Sequence, residues 1–258
     1  MPDLQNTMKE KVVVITGAGR GIGLGIVRCF HRKGAIVVIV DANGEAANSA
    51  ATALIAEEGG SALGIACDIT DASQIQRMIE EVISEFGRID VLVNNAGICP
   101  FVDVMEMDVS TWQKTLDVNL TGAFNCTQAV AREMIRQQSG GRIIFITSLA
   151  ENVTSPRQVD YAASKAGLRM TMAGFATALG QHGITCNAIA PGMIMTDMTR
   201  WSFENPEVAE AMKLRIPMGR VGTPEDIGHV AVFLASKEAE YVSGITIRVD
   251  GGHQAVCA

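Results

Sequence analysis

The chain has 258 residues, 48% of them hydrophobic and 19% charged, with a mean hydropathy of +0.22, a formal charge of −7 and a pI near 5.2. That size and apolar share suit one large α/β domain with a well-buried core. The acidic balance argues against a dedicated nucleic-acid binder, which would carry a basic face. The six cysteines are scattered through apolar stretches without a C-x-x-C, as expected of reduced thiols in the cytoplasm. Neither a basic-then-apolar leader nor an apolar run of about 18 residues is present, so a soluble protein with no membrane partner is expected.

Residues 1–9 are polar and read as a flexible amino terminus ahead of a single domain over 10–258. The β-branched run Lys11 to Ile15 is too short for a helix and reads as a strand; it leads into Thr16-Gly17-Ala18-Gly19-Arg20-Gly21-Ile22-Gly23 and a helical pattern to Lys33. Strand, glycine-rich turn and helix form the first half of a dinucleotide-binding unit. In it Gly17 permits the tight turn, Gly19 and Gly21 admit phosphate oxygens to the backbone, and Gly23 packs the helix on the strand. The helix amino end then offers free N–H groups and a partial positive charge to the pyrophosphate. A second strand ends at Asp41, placed to accept hydrogen bonds from ribose hydroxyls and to repel a 2′-phosphate, which favours NAD over NADP. Arg20 is the counter-signal, since it would suit that phosphate.

A third strand, Ala62 to Cys67, puts Asp68 and Ile69 where an adenine ring would lie. The stripe Ile75, Met78, Ile79, Val82 and Ile83 reads as core packing. The fourth strand, Ile89 to Val93, runs into Asn94-Asn95-Ala96-Gly97, which is either a cofactor contact or an ordinary turn. Ser110 or Thr111 is expected to cap a long helix reaching Gln137. Asn119 lies inside it, either bending the helix, holding water or facing solvent.

The strand Arg142 to Thr147 delivers Ser148 to a sheet's carboxyl end, where ligands bind in open α/β sheets. Tyr161 and Lys165 follow, four residues apart and so on one helix face. A free tyrosine has a pKa of roughly 10; a neighbouring ammonium stabilises the phenolate and brings the pair toward neutral-pH acid–base work. Such a cluster suits proton transfer at a carbonyl or alcohol oxygen but supplies no hydride. A sixth strand stops at Pro191-Gly192, and residues 193–216 read as a substrate lid. Pro224 opens a helix after Thr223, and Ile245 to Val249 is the last strand. Histidines 31, 182, 229 and 253 form no ligand cluster, so no catalytic metal is indicated.

Together these motifs resemble the short-chain dehydrogenase/reductase family from about residue 9 onward: Thr16-Gly17-x-x-x-Gly21-x-Gly23, Asp68, Asn94-Asn95-Ala96-Gly97, Asn119, Ser148, Tyr161-x-x-x-Lys165, and Pro191-Gly192 with Thr196. The resemblance implies a three-layer α/β/α Rossmann fold with a seven-stranded, mostly parallel sheet. It also implies that Tyr161 is the acid/base and that Ser148 holds the substrate oxygen. Lys165 would bind the nicotinamide ribose and lower the tyrosine pKa, and Asn119 would hold a relay water. The cofactor set it implies adds Ile22, Asp68, Ile69, Asn95, Ala96, Gly97, Pro191, Gly192, Ile194 and Thr196 to Gly17, Gly19, Arg20, Gly21, Gly23, Asp41, Tyr161 and Lys165. A homotetramer paired through residues 110–137 and 158–181 is implied as well.

Thr147 stands where many members carry serine, and the loop after Ser148 is polar. Glu151, Asn152 and Gln158 are therefore expected to line the substrate site beside Ser148 and Tyr161, with Arg157 and Asp160 close by, as a polyhydroxylated substrate would require. Asn95 to Phe101 is also similar to bacterial sugar dehydrogenases of the L-rhamnose type. The expectation is an NAD-dependent oxidoreductase of a sugar, polyol or related hydroxy compound. Its rivals are an NADPH-dependent 3-oxoacyl thioester reductase, a steroid or quinone reductase with an apolar lid, and an NAD(H)-sensing scaffold without turnover.

Overall fold

The computed structural model describes residues 7–200, 210 and 214–256. Trp201 and Pro206 of the expected lid lie outside the described residues. Seven strands make one sheet: β1 (Val12–Thr16), β2 (Ile36–Asp41), β3 (Ala62–Ala66), β4 (Val91–Asn94), β5 (Gly141–Ile146), β6 (Ile184–Pro191) and β7 (Thr246–Val249). Their order is β3-β2-β1-β4-β5-β6-β7. Every pairing is parallel, so the expected mostly parallel sheet is wholly so. The order reverses between β1 and β4, which opens a crevice at the strands' carboxyl ends.

Side chains alternate across each strand, and that alternation builds two cores. On one face Val12, Val14, Leu92, Ile143, Phe145, Cys186 and Ala188 meet residues of α3 (Ala72–Phe86), α5 (Ala123–Gln137) and α6 (Val159–Leu179). On the other Val13, Ile15, Val91, Val93, Ile144 and Ile189 meet α1 (Gly21–His31), α2 (Gly44–Glu58) and α8 (Pro224–Ala235). Each such buried Val, Ile, Leu or Phe contributes about 1.5–3 kcal/mol of transfer free energy. Met8 belongs to the second core at 2% exposure, and its N–H donates to the Lys33 carbonyl at 3.0 Å. The expected flexible terminus is therefore already anchored at Met8.

Helix starts follow side-chain chemistry. Asp71 caps α3 by accepting from the Ser73 N–H at 2.8 Å. Pro224 opens α8 as expected, with the Asp226 carboxylate accepting from the Thr223 N–H at 2.7 Å. The helix expected over 110–137 differs in two ways. Its cap is Asp108, whose carboxylate accepts from the Thr111 N–H at 2.6 Å, rather than Ser110 or Thr111. It also divides into α4 (Val109–Leu116), a π-helical segment at Asp117–Gly122, and α5. The short helix α7 (Asp197–Arg200) follows β6, and α9 (His253–Val256) follows β7.

Candidate active site

The loop joining β1 to α1 sits at the point where strand order reverses. Gly17 has φ +61°, and a side chain there would bring its Cβ to 2.6 Å from the Ala96 Cα. Gly21 has φ +59°, and only the Thr196 side chain comes within 4 Å of where its Cβ would stand. The N-cap of α1, Arg20, makes no side-chain cap bond, and no acid lies in the first turn, so the helix end presents N–H groups outward. This cradle fits a dinucleotide's pyrophosphate. At the tip of β2, Asp41 Oδ2 accepts from the Gly19 N–H at 3.1 Å and Oδ1 from the Asn43 N–H at 3.0 Å. A carboxylate is thus pinned beside the loop where the adenosine ribose of such a cofactor would lie, while Arg20 is exposed. From the other side, the turn after β6 brings Thr196 over Gly21, held by Thr199, whose hydroxyl accepts from the Thr196 N–H at 3.0 Å. Gly192 donates to the Val249 carbonyl at 3.0 Å, and Ile194 is buried at 3%.

Some of the side chains expected at the cofactor also brace the loops around it. The Asn95 amide donates to the carbonyls of Thr16 at 2.9 Å and Gly17 at 2.8 Å, and the Thr16 hydroxyl accepts from the N–H groups of Asn95 and Ala96. Asn95 therefore locks the end of β4 to the glycine loop instead of reaching outward with its donors. Ile69 is 5% exposed within the core, and Asp68 Oδ1 accepts from the Thr70 N–H and hydroxyl, which fixes the carboxylate. Asp68 itself remains exposed at the rim.

Asn119 is fully buried in the π-helical segment, which excludes a solvent-facing role. Its amide donates to the Ile98 carbonyl at 2.9 Å and to the Ser164 hydroxyl at 3.0 Å, while its Oδ1 accepts from the Ile98 N–H at 2.8 Å. The side chain thus clamps the loop after β4 onto α6, and both its donors are engaged by protein. A Cβ on Gly97 would come within 3.4 Å of both Asn119 Oδ1 and Lys165 Nζ, so this loop runs close over the Lys165 side chain.

Ser148, Tyr161 and Lys165 come together as expected. Ser148 lies beside the Tyr161 phenol, close enough to favour its ionised form, and Ser148 Oγ accepts from the Ala150 N–H at 3.1 Å. Lys165 Nζ donates to the Ile146 carbonyl at 2.8 Å and stands 5.5 Å from the centre of the Tyr161 ring. The electrostatics depart from expectation. Burial pushes the Tyr161 phenol up to about 12, against the opposing pull of the nearby Ser148 side chain, and pushes the Lys165 ammonium down to about 8. Desolvation outweighs the mutual help expected of the pair. The phenol keeps its proton in the neutral range and is poised as a donor to a substrate oxygen.

The polar wall expected beside these groups is largely elsewhere. After Ser148 the chain forms a tight turn (Leu149–Glu151) that swings Glu151 toward Arg169 on α6, 4.0 Å away, and under β7. Glu151 and Asn152 line a cavity with Arg169, Thr246, Arg248 and Gln254, into which Ser148, Tyr161 and Lys165 do not reach. Arg157 donates to the Phe101 carbonyl at 3.0 and 2.8 Å, bracing two loops. Asp160 is fully buried and accepts from the Thr115 hydroxyl at 2.6 Å. Gln158 alone stays at the site, its amide donating to Cys99 Sγ at 3.7 Å. Cys99, read from sequence as one more apolar-context thiol, lies close enough to act on the charges of both Tyr161 and Lys165. Its place right after the Asn95–Gly97 turn was the one available signal.

Comparison with known proteins agrees with this geometry. A family model described as "Enoyl-(Acyl carrier protein) reductase" matches residues 17–254. An L-rhamnose 1-dehydrogenase (NAD(P)(+)) of Azotobacter vinelandii is 42% identical, with 94% of this chain and 96% of the relative covered. A 3-oxoacyl-[acyl-carrier-protein] reductase of Synechocystis is 41% identical, with coverage of 95% and 97%. The crystal structure of a gluconate 5-dehydrogenase from Burkholderia cenocepacia in complex with NADP and tartrate superposes with a TM-score of 0.91 at 35% identity, over 98% of both chains. With the Rossmann sheet, the glycine cradle and the Ser148–Tyr161–Lys165 cluster, these matches make the chain a member of the short-chain dehydrogenase/reductase family, an NAD(P)-dependent oxidoreductase acting on CH–OH groups.

Proposed function

We propose that the protein oxidises a secondary alcohol or hemiacetal of a sugar, polyol or related hydroxy compound, with NAD preferred over NADP. The observation that carries the cofactor half is Asp41, a carboxylate fixed on the Gly19 N–H, where a 2′-phosphate would meet like charge. Gly17, Gly19, Gly21 and Gly23, the open end of α1, and Thr196 above it would hold the dinucleotide, which supplies the hydride acceptor. Ser148 would orient the substrate oxygen; in reduction Tyr161 would donate its proton to that oxygen as the carbon takes up hydride, and oxidation is the same step reversed, with the ionised phenol taking the hydroxyl proton. Lys165 would hold the ribose and supply positive charge near the phenol. Asn119 fixes the Ile98 backbone and Ser164, and so keeps this side of the site rigid.

The substrate half is supported by the L-rhamnose 1-dehydrogenase relative and by Gln158 beside Cys99. A second reading, an NADPH-dependent reductase of 3-oxoacyl thioesters, is favoured by the Synechocystis relative at almost the same identity. Reduction of each cofactor in the presence of aldoses and polyols, and oxidation of NADPH with an acetoacetyl thioester, separates the two. For assembly we infer a homotetramer: Phe124 on α5, tilted against Phe175 with ring centres 5.6 Å apart, and Met170 on α6 leave apolar surface exposed on those helices. A cytoplasmic setting fits the free cysteines at 29, 67, 99, 126 and 186.

A further inference from the structure

Tyr161 is the third residue of α6, inside the turn that a helix's own hydrogen bonds support least. Gln158, just ahead of the helix, makes no side-chain cap bond. A phenol that must meet a substrate oxygen at one fixed place therefore needs support from outside its own helix. That support comes from α4 and the π-helical segment after it, through two polar contacts at matched spacing. Thr115 and Asn119 are four residues apart, as are Asp160 and Ser164, so each pair lies on one helix face. The Thr115 hydroxyl donates to Asp160 Oδ2 at 2.6 Å, and the Asn119 amide donates to the Ser164 hydroxyl at 3.0 Å. All four residues are fully buried. Ser164 Oγ in turn donates to the Tyr161 carbonyl at 2.6 Å, so the two contacts grip the backbone on both sides of Tyr161.

We propose that Asp160 is a positioning residue for Tyr161: held by the Thr115 hydroxyl, it fixes the first turn of α6 and with it the phenol beside Ser148. Among the described residues Asp160 Oδ1 has no hydrogen-bond partner, so Thr115 is the sole donor to this carboxyl group. A buried polar group with one partner depends on that partner, and without it the chain shifts toward water or another donor. Tyr161, joined to Asp160 by a peptide bond, shifts too. Lys165 has its own anchor on the Ile146 carbonyl, and the glycine cradle lies on other elements. Loss of the Thr115 contact therefore acts on proton transfer and leaves dinucleotide binding intact. This rests on Tyr161 being the acid/base and holds for either substrate reading.

Thr115→Val keeps the shape and removes the hydroxyl; Thr115→Ser keeps the hydroxyl. With the aldoses, polyols and acetoacetyl thioester named above, Thr115→Val is expected to lower kcat about tenfold or more, with KM and the dinucleotide Kd within about twofold. Thr115→Ser is expected to restore kcat. A readout free of substrate comes from the tyrosines, of which there are two, the second being the fully exposed Tyr241. In carbon-13 NMR of protein labelled at tyrosine Cζ, the Tyr161 signal is expected to shift or split in Thr115→Val and return in Thr115→Ser, with Tyr241 unmoved. Should Thr115→Val fold poorly, Thr115→Val/Asp160→Leu removes both polar partners; its melting temperature is expected to recover while kcat stays about tenfold down. Wild-type kcat in either variant, a parallel loss of dinucleotide affinity, an unmoved Tyr161 signal, or no recovery in Thr115→Ser would overturn the proposal. Full activity of Tyr161→Phe would instead remove the acid/base assignment beneath it.

Discussion

Lys165 Nζ sits 5.5 Å from the centre of the Tyr161 ring while donating its 2.8 Å hydrogen bond to the Ile146 carbonyl at the end of β5. The cation is thereby anchored to the sheet itself, one turn of α6 along from the phenol. Both groups are taken out of water together, which explains why each is pushed toward its neutral form.

Tyr161→Phe removes the proton donor and acceptor but keeps the ring. Turnover is expected to fall by about 10²–10⁴-fold, the usual worth of a positioned acid or base. Dinucleotide binding, followed by fluorescence titration, is expected to persist. A fully active variant would remove Tyr161 from the mechanism.

The Lys165 shift makes a stability prediction with a definite sign. Its ammonium titrates near 8 in the folded chain and near 10.5 when unfolded, so between these values the folded state binds fewer protons. The Lys165 contribution is therefore present above 10.5 and lost as pH falls through 8. Tyr161, raised to about 12, acts oppositely, but only above pH 10. From pH 8 to 10 the stability of the wild type relative to Lys165→Met is expected to rise, by about 2 kcal/mol in order of magnitude. Urea unfolding of both proteins across that range reads the difference; a flat difference contradicts the buried ammonium.

Asn119→Ala deletes the clamp between the β4 loop and α6. The Ile98 N–H and carbonyl and the Ser164 hydroxyl all lose a partner at a fully buried position. A destabilisation of about 2–4 kcal/mol is expected from denaturant unfolding. Loss below about 1 kcal/mol would mean that the loop has other anchors.

Asp41→Ser removes the carboxylate beside Gly19 while leaving a hydroxyl to bond the backbone. The KM for NADP is expected to improve about tenfold or more relative to that for NAD, since a like-charge clash is relieved. An unchanged ratio would separate Asp41 from cofactor choice.

Much of this was legible in the residues themselves. Short continuous apolar runs in β1, β4 and β5 marked strands buried on both faces, and the glycine loop, Ser148 and the Tyr161–Lys165 spacing pointed to the crevice where they are found. What escaped depended on distant partners. Glu151 follows Ser148 by three residues, yet it turns away because Arg169 and the β7 edge lie on its other side. The bracing role of Asn95 was hidden because the Thr16 and Gly17 carbonyls it serves are nearly eighty residues back in the chain. The π-helical break at Asp117–Gly122 has no signature in helix propensity, and the direction of the tyrosine and lysine shifts depends on burial that spacing alone does not reveal.

The central claim is an NAD-preferring alcohol oxidation on a sugar or polyol. Its most direct measurement is reduced-nicotinamide formation from NAD and from NADP across a panel of aldoses, sugar alcohols and hydroxy acids. Reduction of NAD by at least one sugar or polyol, with much less for NADP, is the predicted result. No oxidation of any of them, together with NADPH-driven reduction of an acetoacetyl thioester, would contradict it.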